Sequence, residues 1–304
     1  MAFYSSNGKI LLTGEYLVLE GALALGLPTR FGQTLEVEHS TQLNGMIEWA
    51  AFQENNLWFN ALIDIEKWEV VETGNPDVAG NLLRLLQKAN SLTSAPLMNW
   101  KGYKVVTRVD YPLEWGLGSS STLISNIAYW LNINPMDLHD LVASGSAYDI
   151  ACARSSMPLA YQKIENSKTS LKVSFSPVFH ENLFFVYTGN KQSSEEEIKY
   201  FEEKTSFSRE DIYKISQLTR RVILAQQLQE FEKLITTHEH VMSGILKRPP
   251  IKETHFGDYP GSIKSLGAWG GDFILVTGKR NNSVKEYFNS KGLSTIFPYK
   301  DMVI

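Results

Sequence analysis

The sequence contains little that would suit an oxidising compartment, a membrane or a nucleic acid. Cys152 is the only cysteine among 304 residues, which excludes an internal disulfide and predicts a reducing, cytoplasmic location. No apolar run reaches the roughly 18 residues of a membrane span, and the first residues lack the pattern of a signal peptide. The net charge of −4 comes with no broad basic stripe, so a nucleic-acid-binding surface is not expected.

Several familiar nucleotide and hydrolase motifs are absent as well. No lysine follows Gly118 as a P-loop requires, and Ser121 stands where a dinucleotide fingerprint needs its third glycine. The protein-kinase motifs and the serine-hydrolase elbow are also missing. His238-Glu239-His240 lacks the histidine spacing of a zinc protease and is predicted to be a solvated helix face. Any phosphate site in this chain therefore belongs to another class.

What is present is a mixed pattern of strands and helices. With 43% hydrophobic and 20% charged residues, the chain is typical of a soluble globular protein and is long enough for one large domain or two. Residues 15–19 are predicted to resume the first strand, and residues 212–245 to form one largely helical stretch. The order of these elements predicts an α+β protein with two closely packed halves.

The stretch with the clearest chemistry is Pro-Leu-Glu-Trp-Gly-Leu-Gly-Ser-Ser-Ser-Thr at residues 112–122. A predicted strand precedes it and an apolar helix follows it. Gly116 and Gly118 permit backbone conformations that a Cβ would obstruct, and the hydroxyls of residues 119–122 are predicted to cap the helix. The N–H groups and the helix dipole at such a start favour a phosphate. From these residues alone, an ordinary capped loop stays equally open.

Three widely separated stretches resemble one superfamily in the correct order. Residues 8–21, Gly-Lys-Ile-Leu-Leu-Thr-Gly-Glu-Tyr-Leu-Val-Leu-Glu-Gly, are similar to the N-terminal Gly-Lys strand and Gly-Glu of the GHMP kinases. Residues 112–122 resemble that family's Pro-x-x-x-Gly-Leu-Gly-Ser-Ser-Ala. Residues 264–271, Lys-Ser-Leu-Gly-Ala-Trp-Gly-Gly, resemble its C-terminal glycine-rich loop. Each match is weak by itself, but three in order form a strong signal.

The resemblance implies a GHMP kinase fold of the α+β class. It implies an N-terminal half with a ribosomal-S5-like layer of strands and helices, a C-terminal α/β half, and an ATP cleft between them. The two halves are expected at residues 1–160 and 161–304.

The resemblance also implies which residues bind ATP and Mg²⁺. The hydroxyl of Ser120 would hold the metal, in keeping with the preference of Mg²⁺ for hard oxygen ligands. The expected nucleotide-binding residues come from the second and third motifs: Gly116, Leu117, Gly118, Ser119, Ser120, Ser121, Gly267 and Gly270.

Two further residues are expected to carry the chemistry. Asp149, in Gly-Ser-Ala-Tyr-Asp-Ile-Ala, falls where family members place a carboxylate near the acceptor hydroxyl. The hypothesis is that Asp149 accepts or orients the acceptor proton, while Lys9 holds Asp149 ionised and stabilises the transferring charge. The alternative for Asp149 is an acid that caps a helix or lies in its first turn. Lys9 by itself would more often be a solvated lysine at a strand edge.

Departures from the family pattern leave some positions open. Tyr16 follows the Gly-Glu where many mevalonate kinases have His, and Trp269 puts an indole in the third motif. The Mg²⁺-binding glutamate of mevalonate kinases has no secure match, since His139 and Asp140 are only positional candidates. Whether Lys191 or Lys264 contacts the substrate is open as well. Lys191 follows a Gly-Asn pair, and Lys264 is the first residue of the third motif.

The expected function is ATP-dependent phosphorylation of a small acceptor, most closely mevalonate or phosphomevalonate. Gly-Glu-Tyr-Leu-Val and Gly-Ser-Ala-Tyr-Asp-Ile-Ala are closer to the phosphomevalonate kinases. The alternatives are diphosphomevalonate decarboxylation, a sugar or homoserine type of GHMP kinase, and a catalytically silent protein that binds a metabolite. The expected partner is the small-molecule acceptor, with no nucleic acid and no membrane, and a homodimer is left open.

Overall fold

A computed structural model describes residues 1–97, 101–190, 194–269, 271–279 and 281–304. None of the helices in these ranges is both long enough and apolar enough to cross a membrane. The strands are β1 (Ala2–Thr13), β2 (Ala24–Ser40), β3 (Met46–Gln53), β4 (Asn56–Asp64), β5 (Glu69–Thr73), β6 (Gly102–Val109), β7 (Leu159–Ile164), β8 (Ser167–Lys172), β9 (Leu183–Tyr187), β10 (Ile263–Ser265), β11 (Phe273–Thr277) and β12 (Ile296–Pro298). The α-helices are α1 (Pro76–Leu92), α2 (Ser119–Trp130), α3 (Pro135–Val142), α4 (Tyr148–Ala153), α5 (Ser194–Lys204), α6 (Arg209–Leu224), α7 (Leu228–Leu246), α8 (Ile251–His255), α9 (Asn281–Ser290) and α10 (Tyr299–Met302). Mixed strands and helices confirm the predicted α+β class.

The chain folds into two compact units, and each draws on several stretches of sequence. The first unit contains residues 1–8, 31–113 and 117–154. The second contains residues 9–30, 114–116 and 155–304. The predicted halves, 1–160 and 161–304, stay a prediction.

In the first unit, a sheet is covered by α-helices. Its strands are neighbours in the order β5-β4-β3-β6-β2, with β3 and β6 parallel and the other neighbours antiparallel. Alternate residues of β3, namely Ile47, Trp49 and Ala51, are buried, as expected for a sheet with one covered face. They share a core with apolar residues of α1, α2 and α3. This core supports the start of α2, where the second motif lies.

In the second unit, the antiparallel order β10-β11-β9-β12 forms the main sheet. All five residues of β11 are buried, so this strand is covered on both faces. The first residues of β2 pair with β7, and β7 pairs with β8. The third motif begins in β10, which continues directly into the glycine-rich loop.

The prediction that residues 15–19 resume the first strand is wrong. Gly14 and Tyr16 have φ of 89° and 60°, which ends the strand in a tight turn. A short 3₁₀-helix, Leu17–Glu20, follows this turn. Leu17 and Val18 are both buried, so apolar residues in succession indicated burial here rather than a strand.

The single helical stretch predicted for residues 212–245 is two helices, α6 and α7. Ala225 ends α6 in an extended conformation with ψ of 127°, and the extended Gln227 precedes α7. Neither glycine nor proline marks this break. The local sequence therefore contains no signal for it, and the packing of the two helices against each other decides it.

The start of α6 yields a prediction about stability. Ser208 caps this helix: its Oγ accepts the N–H of Asp211 at 3.2 Å, and the Asp211 carboxylate accepts the N–H of Ser208 at 2.8 Å. Ser208→Ala should lower the free energy of unfolding by about 1 kcal/mol, because it leaves the N–H of Asp211 without its acceptor. Urea denaturation measures this change. The exposed Ser206 is the control, and an equal loss in Ser206→Ala would contradict a capping role.

Candidate active site

The second motif forms a loop that leads directly into α2. Gly118 has a left-handed conformation with φ of 91° and precedes the helix, and no side chain caps its first turn. The hydroxyls of Ser121 and Thr122 turn back to the carbonyls of Gly118 and Ser119. The predicted serine cap is therefore wrong, because the helix begins at Ser119 and the serines lie inside it. The first N–H groups of α2 remain for an anion.

Gly116 occupies a place where a residue with a Cβ would be strained. Its φ is +66°, and an added Cβ would overlap the carboxylate of Asp272. The backbone of Asp272 is itself held by the turn after β9, since its N–H donates to Asn190 O at 2.9 Å and its carbonyl accepts from Thr188 N at 2.8 Å. A substitution at Gly116 would therefore strain its own backbone and displace the Asp272 side chain.

Four contacts within the second unit hold residues 114–116. Tyr187 donates its hydroxyl to the Glu114 carbonyl at 3.2 Å. The Trp115 ring meets Phe273 and Phe297 edge-on, at 5.8 and 5.2 Å between centroids. These contacts fix the backbone just before the loop enters α2.

Lys9 supplies the fourth of these contacts. Its Nζ donates to the Gly116 carbonyl at 2.9 Å. The structure thus brings together the Gly-Lys of the first motif and the first glycine of the second. The predicted action of Lys9 on Asp149 stays a prediction.

Asp149 lies half-buried in the first turn of α4. The residues before it form a tight turn, with φ of 109° at Gly145 and 63° at Ala147. Its Oδ1 accepts the N–H of Ile150 at 3.0 Å. The carboxylate is thereby oriented by its own helix, as an acid at a helix start would be.

Glu15 and Lys264 form an ion pair inside the second unit. The Lys264 side chain is fully buried, and its Nζ donates to Glu15 Oε1 and, at 2.9 Å, to the carbonyl of Ser265. Glu239 of α7 lies 3.9 Å from the same Nζ and accepts from the hydroxyl of Ser265 at 2.7 Å. Residues of the first motif, of α7 and of the third motif therefore meet at one buried ammonium. We call Glu15, His238, Glu239 and Lys264 the buried ionic cluster.

The protonation of this cluster is governed by burial. Desolvation raises the pKa of Glu15 to about 7 even though Lys264 favours its ionised form. Desolvation also raises the pKa of Glu239. Burial and the Lys264 charge hold the pKa of His238 well below its usual range, so His238 is neutral. Its Nε2 accepts the N–H of Gly14 at 3.0 Å, which requires the deprotonated nitrogen.

The surroundings of one Glu15 oxygen, Oε2, favour the protonated form of the carboxyl group. Among the described residues, Glu15 Oε2 has no hydrogen-bond partner, although His238 Nε2 lies 3.4 Å away. An ionised oxygen buried in this way would be strongly unfavourable. A proton on Oε2 removes that penalty.

The third motif continues from this cluster into a loop. Gly267 has φ of 64°, and the N–H of Gly271 donates to the Ala268 carbonyl at 3.1 Å. The Trp269 side chain is buried, so it packs inside the unit. Gly270, predicted to bind the nucleotide, lies outside the described residues, and so does Lys191.

Comparisons in three dimensions find similar proteins that sequence comparison does not. Neither a protein-family model nor a curated protein sequence matches this chain. A crystal structure of Methanococcus jannaschii mevalonate kinase matches with a TM-score of 0.72 and 17% identity, over 97% of this chain and 96% of that one. Streptococcus pneumoniae phosphomevalonate kinase, in complex with phosphomevalonate and AMPPNP, matches with a TM-score of 0.71 and 17% identity, over 98% and 99% of the chains. Lactococcus lactis galactokinase, complexed with galactose, matches with a TM-score of 0.69 and 12% identity, over 97% and 92%.

This chain has the GHMP kinase fold. The predicted fold is confirmed, and the match extends over nearly the whole length of each kinase.

Within this fold, the predicted nucleotide residues differ in their surroundings. Leu117 is buried, and Ser119 is half-buried. Ser120 is exposed at the second position of α2, so its hydroxyl is accessible. The sequence predicts phosphate binding for residues 116–121. The N–H groups at the start of α2 have no side-chain cap, so they could donate to phosphate oxygens.

The prediction that Ser120 binds Mg²⁺ agrees with the chemistry of this metal ion. The described residues contain no group of three His, Cys, Asp or Glu side chains that could hold a metal ion. Mg²⁺ commonly takes one or two protein ligands and completes its shell with phosphate oxygens and water, so the Ser120 hydroxyl fits such a role. His139 is buried, with its Nδ1 3.3 Å from Asp140 Oδ1, and the two stay positional candidates only.

Sequence analysis missed most of the buried ionic cluster. It predicted a solvated face for residues 238–240, but His238 and Glu239 are buried and only His240 is exposed. The prediction is wrong for the first two. A signal was available: Phe231, Leu234 and His238 follow helical spacing, which places residue 238 on the buried face of α7.

Removal of the Lys264 charge should destabilise the protein strongly. Lys264→Met leaves two buried carboxyl groups without their cation, so we expect a loss of about 3 kcal/mol in the free energy of unfolding at pH 8. The loss should be smaller at pH 5, where protonation neutralises the carboxyls. Urea denaturation at both pH values checks this, with exposed Lys214→Met as the control. A loss no larger than that of the control would show that the ion pair is unimportant.

Glu15 should make stability depend on pH in a defined direction. Its pKa is about 7 in the fold against 4.5 ordinarily, so its stabilising contribution is complete below pH 4.5 and is lost as the pH rises through 7. Glu15→Gln keeps the neutral form at every pH. The stability of the variant relative to the unmodified protein should therefore rise from pH 5 to pH 8, by up to about 3 kcal/mol.

The measurement is a series of denaturation curves across this pH range. His238 contributes in the opposite direction, because its pKa is lowered, but it is present in both proteins and cancels in the difference. Glu20→Gln, an exposed residue close by, is the control. A relative stability that stays flat with pH would place the proton elsewhere.

Proposed function

We propose that the chain is an ATP- and Mg²⁺-dependent kinase that transfers the γ-phosphoryl group of ATP to a hydroxyl of a small acceptor. The observation that carries the proposal is the start of α2, where two glycines with positive φ lead into a helix without a side-chain cap. Backbone N–H groups at such a start bind phosphate oxygens, and the helix dipole adds to the attraction. The fold that this chain shares with mevalonate kinase, phosphomevalonate kinase and galactokinase supports the same activity.

The residues around the loop would supply positioning and charge. Lys9 holds the Gly116 carbonyl, so its positive charge lies beside the phosphate loop and would offset charge on the transferring group. When bound, Mg²⁺ would neutralise phosphate charge, with Ser120 as one ligand. Phosphoryl transfer makes little covalent demand on a protein, so these effects would supply most of the rate.

Asp149 would handle the proton of the acceptor. In the transfer, the acceptor oxygen forms a bond to the γ-phosphorus while the bond from that phosphorus to the oxygen of ADP breaks. The hydroxyl proton passes to the Asp149 carboxylate. Because Oδ1 is held by the N–H of Ile150, the carboxylate has a fixed orientation for this role.

The acceptor we favour is mevalonate or phosphomevalonate. Two similar structures are kinases of these compounds, and the Gly-Glu-Tyr and Tyr-Asp-Ile-Ala sequences around Tyr16 and Asp149 are closer to phosphomevalonate kinases. Galactokinase shares the fold, so a sugar acceptor is an outcome that the test must distinguish. The cytoplasmic location and the homodimer stay predictions.

The experiment is ATP consumption by the purified protein against a panel of acceptors. The panel contains mevalonate, phosphomevalonate, diphosphomevalonate, homoserine and galactose, with products identified by mass. A phosphorylated product names the acceptor, and loss of carbon dioxide from diphosphomevalonate indicates the decarboxylase. Calorimetric titration with ATP and Mg²⁺ is run in parallel. The absence of ATP binding would contradict the kinase proposal.

Asp149→Asn should lower kcat by about 10²–10⁴-fold, because a side-chain amide cannot take up the proton of the substrate hydroxyl. The KM for ATP should change little, since the α2 loop is untouched. Steady-state kinetics with the acceptor from the panel measure both. Asp137→Asn is a matched control, because Asp137 is also an acid in the first turn of a short helix, α3, but is exposed. Equal turnover in both variants would remove Asp149 from the mechanism.

A further inference from the structure

Tyr16 makes two hydrogen bonds that join separate parts of the second unit. Its hydroxyl oxygen accepts the backbone N–H of Trp269 at 2.7 Å. The same hydroxyl donates to Glu197 Oε2 at 3.1 Å. The residue is 7% exposed, and its bond to Trp269 is buried, so water does not replace this partner when it is lost.

The backbone of Tyr16 is strained for a non-glycine residue. Its φ of 60° and ψ of −54° lie outside the regions that L residues favour. Such strain amounts to about 1–3 kcal/mol and persists only where the surroundings fix the residue. Burial also raises the pKa of Tyr16, so the hydroxyl keeps its proton and its role as a donor. Side-chain contacts thus hold Tyr16 in an unfavourable conformation.

Glu197, the acceptor of this hydroxyl, is anchored by a cation. Arg248 Nη1 lies 2.7 Å from Glu197 Oε2, and the Arg248 guanidinium stacks over the Tyr200 ring at 3.8 Å from the centroid. The Tyr16 ring stacks on Phe201 at 5.3 Å between centroids. Glu197, Tyr200 and Phe201 are three and four residues apart, so α5 presents them on one face. Helix α5 is therefore fastened to Tyr16 by a charged hydrogen bond and by ring stacking.

The other bond of Tyr16 lies inside the glycine-rich loop. Trp269 is the central residue of that loop, and its N–H points to Tyr16 rather than to a ligand. Tyr16 and Trp269, which both depart from the family pattern, are thus in direct contact. A phenol reaches the loop amide, and the indole beside that amide is buried.

We propose that Tyr16 is a positioning residue that couples α5 to the glycine-rich loop. Docking of α5 through Glu197 and Arg248 fixes the Tyr16 hydroxyl, and the hydroxyl fixes the Trp269 amide. The loop then keeps the shape in which its remaining amides meet the nucleotide. Only this last consequence rests on the proposed kinase function; the coupling itself does not.

Amide hydrogen exchange tests the coupling without any substrate. Tyr16→Phe keeps the ring on Phe201 and removes the hydroxyl, so exchange around Trp269 should become about tenfold faster, as expected for one lost buried hydrogen bond. Glu197→Gln keeps an acceptor for the Tyr16 hydroxyl but removes the negative charge that pairs with Arg248. A smaller acceleration of exchange around Trp269 is therefore expected. Tyr213→Phe is the control, because Tyr213 is 63% exposed on α6.

Exchange around Trp269 that is no faster in Tyr16→Phe than in Tyr213→Phe overturns the coupling. If Tyr16→Phe does not fold, Glu197→Gln decides: faster exchange at the loop supports the proposal, and unchanged exchange overturns it. A merely structural role of Tyr16 would lower overall stability and speed exchange throughout the second unit. The coupling predicts acceleration confined to the loop and α5.

The kinetic consequence is measured separately. With the acceptor that the panel identifies, Tyr16→Phe should raise the KM for ATP by about tenfold and change kcat less than about twofold. Unchanged KM together with accelerated loop exchange would leave the coupling intact and remove its role in nucleotide binding. A wild-type protein that binds no ATP would reject the kinase function, while the exchange data would still decide the coupling.

Discussion

The arrangement of the second unit depends on one buried ammonium, that of Lys264. An ammonium in the interior of a protein is unfavourable by several kcal/mol unless acceptors surround it. Here the acceptors are Glu15, the Ser265 carbonyl and, somewhat farther away, Glu239. They come from the turn after β1, from β10 and from α7, so the charge can be satisfied only when all three elements are in place. The first and third motifs are thereby held against each other by a requirement of charge, and packing alone would specify them less strictly.

The charges of this cluster do not balance without a proton. Two carboxyl groups face one ammonium, and His238 adds no charge because burial and Lys264 keep its pKa low. The raised pKa of Glu15, about 7, means that protonation removes part of the excess negative charge near neutral pH and all of it at acidic pH. The same turn is then held at three successive residues. Gly14 donates to His238, Glu15 bonds to Lys264, and Tyr16 accepts from the loop amide. A turn fixed at every residue is a firm support for the Trp269 amide that donates to Tyr16.

The sequence was informative where the signal is local. The glycines before α2 and the strand and helix that flank them follow from residue type and spacing, and so does the mixed α+β class. Signals that depend on distant partners were lost. Glu239 looks like part of a solvated face until β10, 26 residues later, brings Ser265 to it. The first motif resembles a continued strand until His238, 224 residues away, accepts the N–H of Gly14. Polarity alone cannot distinguish a solvated acid from one that is buried beside a cation.

Three of the eight described non-glycine residues with positive φ lie near candidate residues. Tyr16, Ala147 and Asp272 are non-glycine residues with φ of 60°, 63° and 26°. They lie respectively beside Glu15, two residues before Asp149, and against Gly116. Each conformation is unfavourable by about 1–3 kcal/mol and needs compensation from its surroundings. Tyr16 has its two hydroxyl bonds and Asp272 its backbone bonds to Thr188 and Asn190. These contacts explain how Tyr16 and Asp272 keep backbone conformations that would relax if the contacts were lost.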